Sequence, residues 1–150
     1  MDLVSMIDER LVKFDFHVLD KNDAISKIGQ LMFEAGKIND KDMYVNGVFE
    51  REKEHSTGIG MGIAIPHCKS DCVREVAFTL IKLCDSIEWD AFDDQRVEYI
   101  IMLAAPNTSD NLHLKMLSQL AVCLTDDDFR KSLLNSKTVD EVKQCLNNYR

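Results

Sequence analysis

Apolar residues in this chain recur with two different spacings, and the switch between them sets the fold class. Within Asp23–Ala35, residues Ile25, Ile28, Leu31, Met32 and Ala35 fall three or four positions apart. That is one face of a helix, and Gly36 is a suitable stop. Lys41–Lys53 predicts a second helix, with Asp40 as cap and Tyr44, Val48 and Phe49 inward; Gly47 weakens its middle. The centre changes character. Ile63–His67, Val76–Cys84 and Val97–Ala105 are short runs of strand type, Phe14–Leu19 adds another, and Trp89 lies near a further extended piece. The last third returns to helix. Leu114, Leu117, Ala121 and Leu124 form one stripe, and Phe129, Leu133 and Leu134 a shorter one. Thr138 and Glu141 have capping-box spacing ahead of Val142 and Leu146. Helices at both ends around central strands predict a layered α/β or α+β domain, single over residues 1–150. Strand order is not legible at this level.

Charge and cysteine usage narrow the function classes. The formal net charge is −8, which argues against nucleic acid and anionic membranes, because both require a basic footprint. No run is apolar enough over sufficient length to span a bilayer, and MDLVSMIDER lacks a signal peptide's basic start and apolar middle. The expected location is cytoplasmic. Five cysteines, Cys68, Cys72, Cys84, Cys123 and Cys145, are odd in number and dispersed, so reduced thiols are the simplest account.

The chemistry concentrates in GIGMGIAIPHCK, residues 58–69. Three readings compete. As a phosphate loop, Gly58, Gly60 and Gly62 could bring backbone N–H groups to an anion, but no Gly-Lys-Ser/Thr follows and the dinucleotide fingerprint spacing is absent. As a metal site, His67, Cys68 and Cys72 are good zinc ligands, with His55 or His113 available only through folding. As an extended segment, the period of two sends Gly58, Gly60, Gly62 and Ala64 to one side. It sends Ile59, Met61, Ile63, Ile65 and His67 to the other. Pro66 then ends the strand and holds His67 at a rigid position that solvent and a partner can reach.

A histidine held this way can be a nucleophile toward a phosphoryl group. The chemistry needs one ring nitrogen free, the other fixed by an acceptor, and donors or cations for the phosphoryl oxygens. Arg51 is a candidate cation, since guanidinium matches phosphate oxygens in a planar fork. His113 is a candidate donor. Thr108-Ser109-Asp110-Asn111 offers helix caps, which puts His113 in a first turn whose dipole favours an anion and a neutral imidazole. Taken one at a time, each residue has a plainer reading: a structural strand-end histidine, a solvated arginine among Glu50, Glu52, Lys53 and Glu54, an ordinary first-turn histidine. His17 and His55 have no constraining motif beside them.

The joint pattern tips the balance. Phe49-Glu50-Arg51-Glu52, Thr57-Gly58-Ile59-Gly60 and Gly62-Ile63-Ala64-Ile65-Pro66-His67 resemble the fructose/mannitol-type enzyme IIA domains of the bacterial phosphotransferase system. Ala104-Ala105-Pro106, His113-Leu114 and Leu117–Ala121 resemble that family's second-histidine helix. Asp127, Phe129, Leu133 and Thr138–Val142 follow its C-terminal pattern. The resemblance covers nearly the whole chain. It implies a mixed β-sheet flanked by helices and a phosphoryl carrier that uses no cofactor and no metal. In that carrier His67 accepts phosphate from the phosphohistidine of HPr and passes it to a cysteine of a IIB domain. The IIB domain phosphorylates sugar entering through a membrane IIC component. Arg51 and His113 would surround the phosphoryl group. Residues 70–76 and 89–97 are more similar to fructose-type than to mannitol-type members. A regulatory nitrogen-type relative is the alternative, and a binding module without chemistry a third. Met61 and Cys68 depart from the usual pattern. Met61 is expected on the packing face, and Cys68 is either a silent small side chain or a redox-sensitive neighbour of the phosphohistidine.

Overall fold

Three stretches of backbone break at the same level of the sheet, and that shared break shapes the molecule. The computed structural model describes residues 2–108 and 111–148. Strand β1 (Val12–Phe16) is followed by helices α1 (Lys21–Glu34) and α2 (Lys41–Glu54). The centre holds β2 (Gly58–Gly60), β3 (Ile63–Ala64), β4 (His67–Lys69), β5 (Ala77–Phe78), β6 (Leu80–Ile87), β7 (Val97–Ile100) and β8 (Leu103–Ala105). Helices α3 (Leu112–Leu124), α4 (Asp127–Asn135) and α5 (Val139–Asn148) close the chain.

A five-stranded mixed sheet has the order β1-β6-β7-β3-β2, and a three-stranded one the order β4-β8-β5. The two are joined covalently at Pro66, Thr79 and Ile101–Met102. Each predicted central strand is therefore two strands with a break. Hydrogen bonds carry the ladder across: Ile101 N to Ala64 O at 3.0 Å, Leu103 N to Pro66 O at 3.0 Å, Thr79 N to Met102 O at 2.9 Å. The buried Thr79 hydroxyl accepts from Met102 N at 3.0 Å, a side-chain patch where the regular pattern fails.

Alternation along these strands feeds two cores. Ile100, Met102 and Ala104 pack with Ala24, Ile25, Ile28, Tyr44 and Val48 of α1 and α2. Tyr99, Ile101 and Leu103 pack with Met116, Leu120, Phe129, Leu133 and Val142 of α3–α5. The result is a sheet with helices on both faces, as the resemblance implied.

Several local expectations are corrected. The run from Gly58 is not one strand. It folds back as a β2–β3 hairpin whose turn, Met61-Gly62, has φ of 57° and 80°. Two positive φ values match the twist of a tight hairpin, which explains Gly62 and puts Met61 in an uncommon conformation. Met61 is thus 56% exposed at a turn and not on the packing face. On α3 the inward residues are His113, Met116, Leu120 and Leu124, while Leu114 and Ala121 face outward. The stripe was read one position out of phase because the real face includes a histidine. Trp89 is buried in an irregular segment after β6 and belongs to no strand. The capping box is half formed: Thr138 Oγ1 accepts from Glu141 N at 3.1 Å, but the Glu141 carboxylate turns to Lys137 N at 2.9 Å.

Gly47 receives an explanation. A Cβ at this position would collide with Cys68 Sγ on β4, so glycine permits α2 to lie against the strand that begins with His67. We expect Gly47→Ala to lower stability by about 1–3 kcal/mol through overpacking, although alanine is the better helix former by about 1 kcal/mol. Combined with Cys68→Ala, the two losses should be clearly less than additive in urea unfolding. Full additivity would mean the contact is not what limits the site.

Candidate active site

Proline at position 66 restricts Ile65 to extended backbone. This aims the Ile65 carbonyl forward along the chain, where His67 Nδ1 meets it at 2.8 Å. A carbonyl only accepts, so Nδ1 carries the ring proton and Nε2 keeps its lone pair. The same residue is held from behind, since Ile65 N donates to Thr57 O at 3.0 Å. His67 is half-buried and starts β4, paired with Leu103 of β8. A fixed tautomer with an open nitrogen is the condition for a nucleophilic imidazole.

His113 comes to the same place from the other side of the sheet's edge. The two ring centroids are 5.3 Å apart with planes tilted by 50°. His113 sits in the first turn of α3 and is 7% exposed. Asn111 makes no side-chain capping bond to this helix. Of the other proposed caps, Ser109 and Asp110 lie outside the described residues. Burial pushes the His113 pKa down to about 4, and the charges of His67, Lys69 and Arg51 act in the same direction. It is a neutral N–H donor near pH 7.

Arg51 lies in the last turn of α2 and donates from Nη1 to His55 O at 2.9 Å, bridging the helix end. It forms no ion pair among the described residues. The His67 pKa is also lowered, first by burial; the Ile65 hydrogen bond opposes this, Arg51 adds to it, and Glu52 and Glu54 oppose it. The structure thus brings His67 and His113 ring to ring, and the Arg51 charge reaches both.

Cys68 finds its place on the opposite face of β4, packed against α2 and buried. Burial pushes its thiol up to about 11, so it is a neutral group turned away from His67. This removes the redox-sensitive reading. It also separates Cys68 from His67 in the metal reading, and no group of three or more His, Cys, Asp or Glu among the described residues could hold a metal ion.

Two residues escaped sequence reasoning. Lys69 stands two positions after His67, so strand alternation puts it on the His67 side, and its charge reaches His113. The signal was available in that spacing. Glu52 was grouped with solvated charges, yet its side chain is only 5% exposed and ion-paired to Lys21 Nζ at 2.8 Å. Nothing local marks that pairing, which spans two helices.

What the arrangement can do is bind and receive an anionic, electrophilic group. With this geometry Nε2 of His67 can serve as a nucleophile, His113 as a neutral donor and Arg51 as a source of positive field.

Comparison with known proteins agrees in kind. The family described as phosphoenolpyruvate-dependent sugar phosphotransferase system, EIIA 2, matches residues 5–149. A fructose-specific EIIA component from Haloferax volcanii is 30% identical over 145 residues, covering 97% of this chain and 94% of its own. A fructose-specific EIIABC component from Bacillus subtilis is 30% identical over 149 residues, covering 99% of this chain but 24% of the relative. The chain therefore spans about a quarter of that longer protein. Among solved structures, the nitrogen regulatory protein IIA-Ntr from Neisseria meningitidis superposes with a TM-score of 0.84 at 26% identity, covering 96% of this chain and 98% of that one.

The histidine pKa shifts fix a pH dependence. Both are lowered in the folded state, so below about 6.5 the unfolded chain binds protons that the folded chain refuses. Their contribution to stability is complete above that pH and is lost as pH falls toward 4. Urea midpoints measured from pH 7 to 4 should decline, and His113→Asn should flatten part of the slope. An unchanged slope would contradict the burial of a neutral His113.

Proposed function

We propose that this protein, which belongs to the EIIA 2 family of the phosphoenolpyruvate-dependent sugar phosphotransferase system, carries a phosphoryl group on Nε2 of His67. The observation that carries the reading is the Nδ1 contact to Ile65 O at 2.8 Å, which leaves Nε2 as the basic nitrogen 5.3 Å, ring to ring, from a neutral histidine.

The geometry supports the following steps. The Nε2 lone pair attacks phosphorus of the phosphohistidine on HPr. A P–N bond forms on His67 as the donor P–N bond breaks, and its electron pair returns to the donor imidazole. The proton stays on Nδ1, donated to the Ile65 carbonyl throughout, so positive charge gathered on the ring is shared with a backbone dipole. His113 donates N–H to a phosphoryl oxygen, and Arg51 offsets charge on the phosphoryl group in flight. In the second half-reaction a thiolate of a IIB domain attacks, forming P–S and returning the pair to Nε2. The phosphoryl group then goes to sugar brought in by a membrane IIC component. Residues 1–150 act as one IIA domain, in the cytoplasm.

The names of the two fructose-specific relatives support a sugar-uptake role and a fructose-type substrate. The IIA-Ntr likeness supports a second reading, in which the phosphorylation state is itself the signal. Transfer from the phosphorylated protein to a fructose-type IIB domain separates the two.

The decisive measurement is label uptake from phospho-HPr. His67→Ala should take up none, and Arg51→Ala should slow transfer by about a hundredfold or more, the scale of a lost transition-state charge contact. The product should be acid-labile. Full labelling of His67→Ala would overturn the assignment.

A further inference from the structure

Glu52 is in an unfavourable place for a carboxylate. It lies in the last turn of α2, where the helix dipole repels an anion, and its side chain is 5% exposed. Burying a charge is costly unless it is paired and hydrogen-bonded. Here it is both. Lys21, the first residue of α1, brings Nζ to 2.8 Å. Thr57 N donates to Oε2 at 3.3 Å, and the Thr57 hydroxyl donates to Oε1. Lys21 is held in turn by Trp89 O at 3.4 Å and lies 5.0 Å over the Trp89 ring. Replacing such a buried pair with apolar side chains is often neutral or stabilising, so stability alone is a weak reason for it.

The contacts continue toward the site. Thr57, gripped by Glu52 at both its N–H and its hydroxyl, accepts at its carbonyl from Ile65 N at 3.0 Å. The carbonyl of the same residue, Ile65, holds His67 Nδ1 at 2.8 Å. One residue before Glu52 on the same helical turn is Arg51. We infer that Glu52, clamped by Lys21, is a positioning residue that fixes the Nδ1–H form of His67 through Thr57 and Ile65 and fixes the helix end that carries Arg51. This deepens the proposed function and rests on it for the importance of His67, but the positioning can be read without any phosphate.

The charges acting on the His67 ring are Arg51, Glu52 and Glu54, all from α2, and His113 from α3 faces it ring to ring. Of these, Glu52 and Glu54 favour its protonation and Arg51 opposes it. Removing Glu52 therefore has two consequences: a looser tautomer and a lower His67 pKa.

The experiment is 15N-detected NMR of the histidine rings across pH, on wild type, Glu52→Ala, Glu52→Gln and Lys21→Met, alongside transfer kinetics from phospho-HPr. Wild type should show His67 protonated at Nδ1. Glu52→Ala should shift both ring nitrogens toward a tautomer mixture and lower the His67 titration midpoint. It should also reduce kcat by about ten- to a hundredfold, as misplacement of a reacting group does, with little change in KM. Glu52→Gln keeps hydrogen-bonding groups for Thr57, so it should hold the tautomer while still lowering the midpoint. It also serves as the readable variant if Glu52→Ala does not fold. Lys21→Met should loosen the tautomer in the same sense as Glu52→Ala. Variants that melt earlier but keep wild-type ring shifts, midpoint and kcat would make the clamp merely structural and overturn the inference. If wild type takes no phosphate, the proposed function fails, while the ring signals still decide the positioning role.

Discussion

The structure depends on a missing donor. Pro66 has no N–H to give, so the hydrogen-bond ladder at its level cannot run on unbroken. The next two strands break there too, at Ile101–Met102 and then at Thr79, and a side-chain hydroxyl substitutes for part of the lost pattern. The sheet that results is two sheets joined at a common bend. His67 stands at the first position after that bend, on the face toward α3. His67 therefore begins an edge strand, half-buried, while its backbone stays paired to Leu103.

The charges around this point are balanced in a way that serves a nucleophile. Burial keeps both histidines neutral, and neutrality is what a nucleophile and a hydrogen-bond donor need. Arg51 pushes the same way, and in the proposed function it also supplies a positive field for the incoming phosphoryl group. Glu52 and Glu54 oppose it, which keeps His67 from losing too much basicity. A ring with no basicity would be a poor nucleophile, and a fully protonated one would be none. The site holds the middle position through groups on one helix end.

Much of the fold was legible, and the failures have physical causes. The helices 21–34 and 41–54 were read within two residues because periodicity and caps are local; Asp40 accepts from Met43 N as its position suggests. The alternation of Ile63, Ile65 and His67 against Ala64 was also read correctly. It failed earlier in the run, where alternating glycines served a hairpin turn at Met61-Gly62, and a period of two does not distinguish a strand from a hairpin. The stripe on α3 was misread because a buried histidine does not count as apolar. Of the site residues, His67, His113 and Arg51 were named as candidates from their chemistry and position and preferred to plainer readings on the joint family pattern, while Glu52 was lost in a run of charges.

What the sequence determined by itself is the set of local geometries. These are the extended residue before Pro66, the opposite facing of His67 and Cys68, the caps, and the division into helical ends and a stranded centre. Each follows from steric rules that act within a few residues. What the tertiary structure alone decided is which of these pieces meet. His113 reaches His67 across 46 positions, Gly47 makes room for Cys68, and Lys21 turns a helix-end carboxylate into a buried clamp. Such pairings depend on how the layers pack, because burial makes a charge or a ring contact strong and burial is a property of the whole fold.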